Sequence, residues 1–255
     1  MKNILTVTKY TFLEVYRSKL MVSLIFIALG LILVSYIASE FAYGAPAKVA
    51  LDVGLGIMSI SNVIISIFIG STLLSKEIEQ RTLYMILSRP ISRVSFLFGK
   101  MLGLSTVLLI NSVLLGCLSL FLYSFFDGAV QSLMIWAIYF SFIEAFIVLV
   151  FAILFSLITN TTLSVIYTIV VFAIGHALNE TSKNMFLKVS PIMKTILEGC
   201  FIILPNFYRL NLKDYVLYQQ TLSTDYLVMT HLYIVIYLVA LLITTSLIFK
   251  NKNLD

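Results

Sequence analysis

The sequence predicts an all-α integral membrane protein, six transmembrane helices preceded by an amphipathic interfacial helix. Three observations predict it. Of the 255 residues, 60% are hydrophobic and 11% charged, with a mean hydropathy of +1.05. Soluble domains hold about 45–50% apolar and about 25% charged residues, so this chain could not cover a soluble surface with polar groups. Apolar runs of membrane length recur without period-2 alternation, which argues against an outer-membrane barrel. The charges gather in a few stretches, the densest of them residues 76–100. Residues 1–255 read as a single membrane domain.

Residues 1–19 are too polar to span. On a 100° wheel Ile4, Leu5, Thr8, Phe12 and Val15 share one face, and Lys2, Lys9, Glu14 and Arg17 fall away from it. The pattern fits a helix lying in the headgroup plane, with an ordinary solvated helix as the alternative. The first span covers residues 20–39, about the 20 residues that cross a ~30 Å hydrocarbon core. Ala45-Pro46-Ala47 resembles a signal-peptidase site. The apolar run is longer than the ~7–15 residues of a signal peptide, so it is expected to be retained.

A loop over 40–51 leads to the second span, 52–75, whose Gly54, Gly56, Ser59, Ser61, Ser66, Gly70 and Ser71 allow close helix packing. The third span, 94–125, exceeds what a bilayer needs, so its first turns project into the cytoplasm or the helix tilts. Asp127-Gly128 makes a tight turn before the fourth span, 132–158. Residues 159–162 form a minimal connection to the fifth span, 163–178. Residues 179–225 form an outer segment; its apolar stretch 200–204 is too short to span and reads as an amphipathic or re-entrant helix ended by Pro205. The last span covers 226–249.

Lys and Arg in the connections set the orientation. With the N-terminus inside, cytoplasmic stretches carry eleven of the 17, and the outer stretches carry six, five of them in the long outer segment. Short loops bias topology most, so both termini are expected in the cytoplasm. In this setting the net charge of +5 reports orientation rather than nucleic-acid binding. The two cysteines, Cys117 and Cys200, differ in depth and are not expected to pair.

Residues 76–100 are then cytoplasmic. Glu77 and Arg81 have the favourable i, i+4 order, and Ile78, Thr82, Met85 and Ile86 share one side of a short helix over 76–87. Pro90 disfavours helix at Arg89, and Ser92 is placed to cap the next helix. By charge and periodicity alone, the stretch reads equally as a docking element or as a connector that obeys the positive-inside rule. The run E-x-E-x-R-T-L-Y-x-x-L-S-R-P-I-S-R-x-x-F-L-x-G-K at 77–100 resembles the signature between spans two and three of type-2 ATP-binding-cassette exporter permeases. The six-span layout, the N-terminal helix, the enlarged outer segment and LPNFYRLN at 204–211 are also similar to that family.

The resemblance implies a cytoplasmic coupling region, 76–93, that docks on an ATPase subunit. It assigns Glu77, Glu79, Arg81, Thr82, Leu83, Arg89, Pro90 and Arg93 to that region, with Gly99 and Lys100 closing the motif. It further implies a dimer of ATPase subunits, a second permease copy or paralogue, and a bacterial or archaeal cytoplasmic membrane. ATP and Mg would bind the partner: Gly99-Lys100 is followed by Met101 and lacks the remaining residues of a P-loop.

Inside the spans Glu144 is the costliest residue, about 2.5–3.5 kcal/mol at the bilayer centre on insertion scales. It is expected to face the bundle or a cavity, either as a translocation-pathway residue or in a structural hydrogen bond. Asn62 and Asn111 are candidates for the same pathway or for interhelical glue. His176 and His231 are the chain's two histidines, too few for a metal or catalytic constellation. An intramembrane enzyme or a secondary transporter using Glu144 is the competing reading. It lacks a paired-acid motif for the first and an internal repeat for the second.

Overall fold

The computed structural model describes residues 2–18, 20–42, 44–79, 92–177, 199 and 203–252. Among them the chain is helical, with no strand. In order the helices are α1 (Lys2–Tyr16), α2 (Leu20–Glu40), α3 (Pro46–Glu79), α4 (Arg93–Phe125), α5 (Ser132–Ile158), α6 (Thr161–Ala177), α7 (Lys213–Leu217) and α8 (Thr224–Asn251), with a 3-10 turn at Phe207–Arg209. Five of these, α2, α3, α4, α5 and α8, are long and apolar enough to cross a membrane; α6 is apolar but has 17 residues.

Sequence and structure disagree instructively at the helix ends. The second span starts at Pro46 rather than 52, because proline lacks only a donor that the first turn leaves unpaired anyway. At its other end α3 runs on to Glu79 without a break. Residues 76–79 therefore continue helix α3 beyond its apolar span and do not open a separate short helix; the remainder of that expected helix, 80–87, lies outside the described residues. Ser92 caps α4 as expected, its Oγ accepting from the Ser95 N–H at 3.2 Å. After Phe125 the chain turns on two bonds, Asp127 N–H to Ser124 O and Gly128 N–H to Tyr123 O. Asp127 takes the left-handed conformation (φ 61°). Gly128 is required for a different reason: a Cβ there would stand 2.5 Å from the Tyr123 ring.

Helices do not associate in lipid by hiding apolar surface from water, so close packing and polar contacts must hold them. Small residues permit it here. A Cβ on Gly54 would meet Ser119 of α4 at 2.6 Å, and one on Gly70 would meet Ala152 of α5 at 2.7 Å. Helix α3 thus sits directly against α4 and α5. Helix α5 is the most enclosed span, while α2 and α8 stand at the periphery with apolar side chains outward.

Helix α1 packs along the start of α4. Of the expected face, Val15 is buried and Ile4, Thr8 and Phe12 are half-buried, but Leu5 is left out. Leu5 is 66% exposed, whereas Thr11 and Val15 are buried. Gly99 and Gly103 of α4 shift the contact toward Val7 and Thr11: they leave a groove for these β-branched side chains, and a Cβ on either glycine would stand 2.6 or 2.7 Å from them. Thr8 also donates to Gly99 O at 3.2 Å. Helix α1, the C-terminus of α8 and the 159–160 turn share one end of the bundle, here the basal end; residues 203–223 cap the distal end.

Candidate functional site

The basal end is fastened by charge. Lys100, only 7% exposed, reaches Glu77 Oε1 at 2.5 Å and Glu14 Oε2 at 3.1 Å. One lysine of α4 therefore ties the end of α3 to α1. Burial pushes the Glu77 carboxyl up, and the charge and hydrogen bond of Lys100 oppose that rise. A second clamp holds the C-terminus. Arg93 donates to Lys250 O at 3.3 Å and to Lys252 O at 2.9 Å, and Lys252 in turn donates to Leu157 O at the end of α5.

Of the residues assigned to coupling, Glu77 and Arg93 thus have side chains engaged with the protein's own helices. Glu79 is the last residue of α3. Arg81, Thr82, Leu83, Arg89 and Pro90 lie outside the described residues, within 80–91. Two partners in this clamp, Glu14 and Lys252, were not singled out from the sequence. The GxxxG spacing of Gly99 and Gly103 was the available signal, since it announces a helix packed on that face.

Midway along the bundle Asn62 and Asn111 meet. Asn111 Nδ2 donates to Asn62 Oδ1 at 2.7 Å and lies 3.2 Å from Ser61 Oγ; Ser112 Oγ donates to Asn62 Oδ1 at 3.1 Å. Asn62 Nδ2 reaches Ser141 Oγ at 3.4 Å. All are buried, and the network joins α3, α4 and α5.

Distal to this network lies a cavity of about 250 Å³. Helix α3 lines it with Leu55, Met58 and Ser59, α5 with Ser141 and Glu144, α6 with Phe172 and His176, and the distal cap with Leu210 and Lys213. Glu144 is 3% exposed, and His176 Nε2 stands 3.4 Å from its Oε1. That approach does not complete a hydrogen bond, and Oε1 has no other hydrogen-bond partner among the described residues. Lys213 is occupied by Asp52 at 2.6 Å.

The cap is held from two sides. Phe207, fully buried, lies against the rings of Phe172 and His176. Gly175 admits it, since a Cβ there would stand 2.5 Å from the Phe207 ring. On α8, Tyr233 Oη accepts from the Asn206 N–H at 2.8 Å, Tyr237 donates to Ile203 O at 2.9 Å and Tyr226 donates to Arg209 O at 3.0 Å. The expected helix over 200–204 is described only at its end, and beyond Pro205 the chain forms the 3-10 turn and α7.

No curated protein matches the chain. A family described as ABC-2 family transporter protein matches residues 8–254. The match runs from the second turn of α1 through the basal clamp, the buried network and the cavity to the end of α8, and the chain therefore belongs to the ABC-2 family of transporter proteins.

Proposed function

We propose that this chain is the membrane-spanning permease subunit of an ATP-driven ABC-2 exporter. A separate ATPase dimer hydrolyses ATP, and this subunit, with a second permease copy or a paralogue, couples that hydrolysis to translocation. Family membership across residues 8–254 is the observation that carries this reading. In it α6 is the sixth span. Its 17 residues reach about 25 Å, which the lower limit of spanning lengths accommodates. Both termini and residues 80–91 face the cytoplasm, and α1 lies at the membrane surface with Leu5, Tyr10 and Tyr16 outward.

The basal clamp gives the coupling region a division of labour. Glu77 and Arg93 anchor the two ends of the segment on the permease, and Arg81, Thr82, Leu83, Arg89 and Pro90 between them contact the ATPase. Asn62 and Asn111 hold three spans together, and Glu144 lines the pathway. The test is co-expression with the ABC ATPase encoded nearest the gene, followed by co-purification and ATPase assay in proteoliposomes. Charge reversal at Arg81 and Arg89 is expected to break the complex or uncouple ATP hydrolysis while the permease still folds. Full assembly and coupled hydrolysis in the double reversal would refute the docking assignment.

A further inference from the structure

The distal cavity holds a feature that a structural hydrogen bond does not explain. Its innermost charged group, Glu144, is buried, and Oε1 has no hydrogen-bond partner among the described residues. His176 stands 3.4 Å away without completing a bond. A carboxylate used only as helix glue would be turned to a donor, and one is close: the hydroxyl of Ser141, one turn earlier on the same helix, accepts from Asn62 Nδ2, yet Oε1 takes no bond from it. Glu144 faces open space.

The rest of the lining narrows what that space would take. Phe172 and His176 pack ring against ring, centroids 4.6 Å apart, and together form one aromatic side of the cavity, while Leu55 and Met58 supply apolar walls. A carboxylate beside aromatic faces is the chemistry that recognises an organic ammonium. The charges around the cavity favour the same sign. The one lysine among the lining residues, Lys213, is already paired with Asp52, 46% exposed on its side chain. The inner charge is therefore acidic and the outer one is spent. An anionic ligand would have to displace Asp52 and approach Glu144.

We propose that the Glu144–Phe172–His176 cavity is a binding site for the cationic head of a lipophilic amine, which Glu144 neutralises and the two rings flank on one side. At about 250 Å³ the cavity takes a compact ammonium head with one small ring, and longer apolar parts of the ligand extend past the exposed Ile60, which also borders the cavity. The proposal rests on the permease reading and names the cargo class for it.

The experiment is equilibrium binding of radiolabelled benzyltrimethylammonium to the full chain in lipid nanodiscs. Its uncharged carbon isostere, neopentylbenzene, serves as competitor. No ATPase is needed, so a failure of coupling leaves this measurement untouched, and a failure here leaves the ATPase assay untouched. Saturable binding is expected, with little competition from the isostere. Glu144→Gln is expected to weaken it at least tenfold and Phe172→Leu several-fold. Should Glu144→Gln not fold, Ser59→Leu narrows the cavity while keeping the carboxylate, and is expected to abolish binding. Absence of saturable binding, equal competition by the isostere, or undiminished binding in a folded Glu144→Gln or Ser59→Leu variant would overturn the assignment.

Discussion

Replacing Lys100 by methionine tests the basal clamp most directly. Methionine keeps an unbranched stem in the same channel and removes only the charge. Two carboxylates then lose their shared cation. Glu14 is 53% exposed on its side chain, so water takes over and that arm is worth about 0–1 kcal/mol. The Glu77 side chain is 13% exposed, and removing one partner of a buried pair costs about 3–5 kcal/mol. The low end applies, about 3 kcal/mol, because Glu77 has a way out. Burial already raises its carboxyl, and without Lys100 it takes up a proton more readily.

That argument fixes the pH dependence. A carboxyl raised in the folded state binds more protons there than in the unfolded chain, so its contribution to stability falls as pH rises through the window between the two values. Lys100 lowers the Glu77 carboxyl and so narrows the window; its removal widens the window upward. The deficit of the variant is therefore expected to be small below the ordinary carboxylate range and complete at neutral pH. Unfolding of the full chain by SDS titration from mixed micelles, at acid and at neutral pH, measures it. Lys100→Met with Glu77→Gln should recover about 2 kcal/mol relative to the sum of the single changes. A deficit independent of pH, or strictly additive single losses, would refute the reasoning.

Four further outcomes follow from the packing. Gly103→Val places new atoms on Thr11 and Thr8 O and should cost about 1–3 kcal/mol, releasing α1 to protease at low enzyme concentration while α2–α8 stay protected. Tyr233→Phe leaves the Asn206 N–H without its acceptor; a loss of about 1–2 kcal/mol is expected, read as faster amide exchange over residues 203–212. Asn62→Leu removes the acceptor shared by Asn111 and Ser112 and should lower resistance to SDS unfolding by about 1–2 kcal/mol, since single polar contacts between spans average about 0.6 kcal/mol. Glycine at both Thr72 and Ser75 softens α3 between the network and the clamp, at about 1 kcal/mol per site or less. It should lower ATP-coupled transport in proteoliposomes far more than it lowers stability.

Much of the fold was legible because the signals were local. Hydropathy placed the long helices, Ser92 announced its cap, and Asp127-Gly128 announced its turn. What failed was non-local. Amphipathicity gave α1 most of its packed face, but two glycines some ninety residues away on α4 bring Val7 and Thr11 into it and leave Leu5 out. Charge density marked 76–100 as one unit, yet Glu77 belongs to α3 and Arg93 to α4, and both turn inward. The cost of burying Glu144 was readable from sequence; the cavity it faces depends on residues from four parts of the chain, and no period or spacing joins Ser59, Glu144, His176 and Lys213.

The continuity of α3 bears on how the two sites communicate. One helix carries Ser59 in the cavity wall, Asn62 in the buried network and Glu77 in the basal clamp. From Ser59 to Glu77 is about 27 Å of unbroken helix. A separate helix starting at residue 76 would have introduced a joint, and a joint absorbs displacement. Instead α3 runs unbroken to Glu79, and α4 starts at the Ser92 cap. Lys100 bridges the two helices just inside those ends. In the proposed permease, force applied between the ends of α3 and α4 is divided between two helices that Lys100 ties together. Among the described residues α3 alone carries side chains in the cavity wall, the buried network and the basal clamp, so in the proposed permease it is the helix along which a push at the base reaches the cavity.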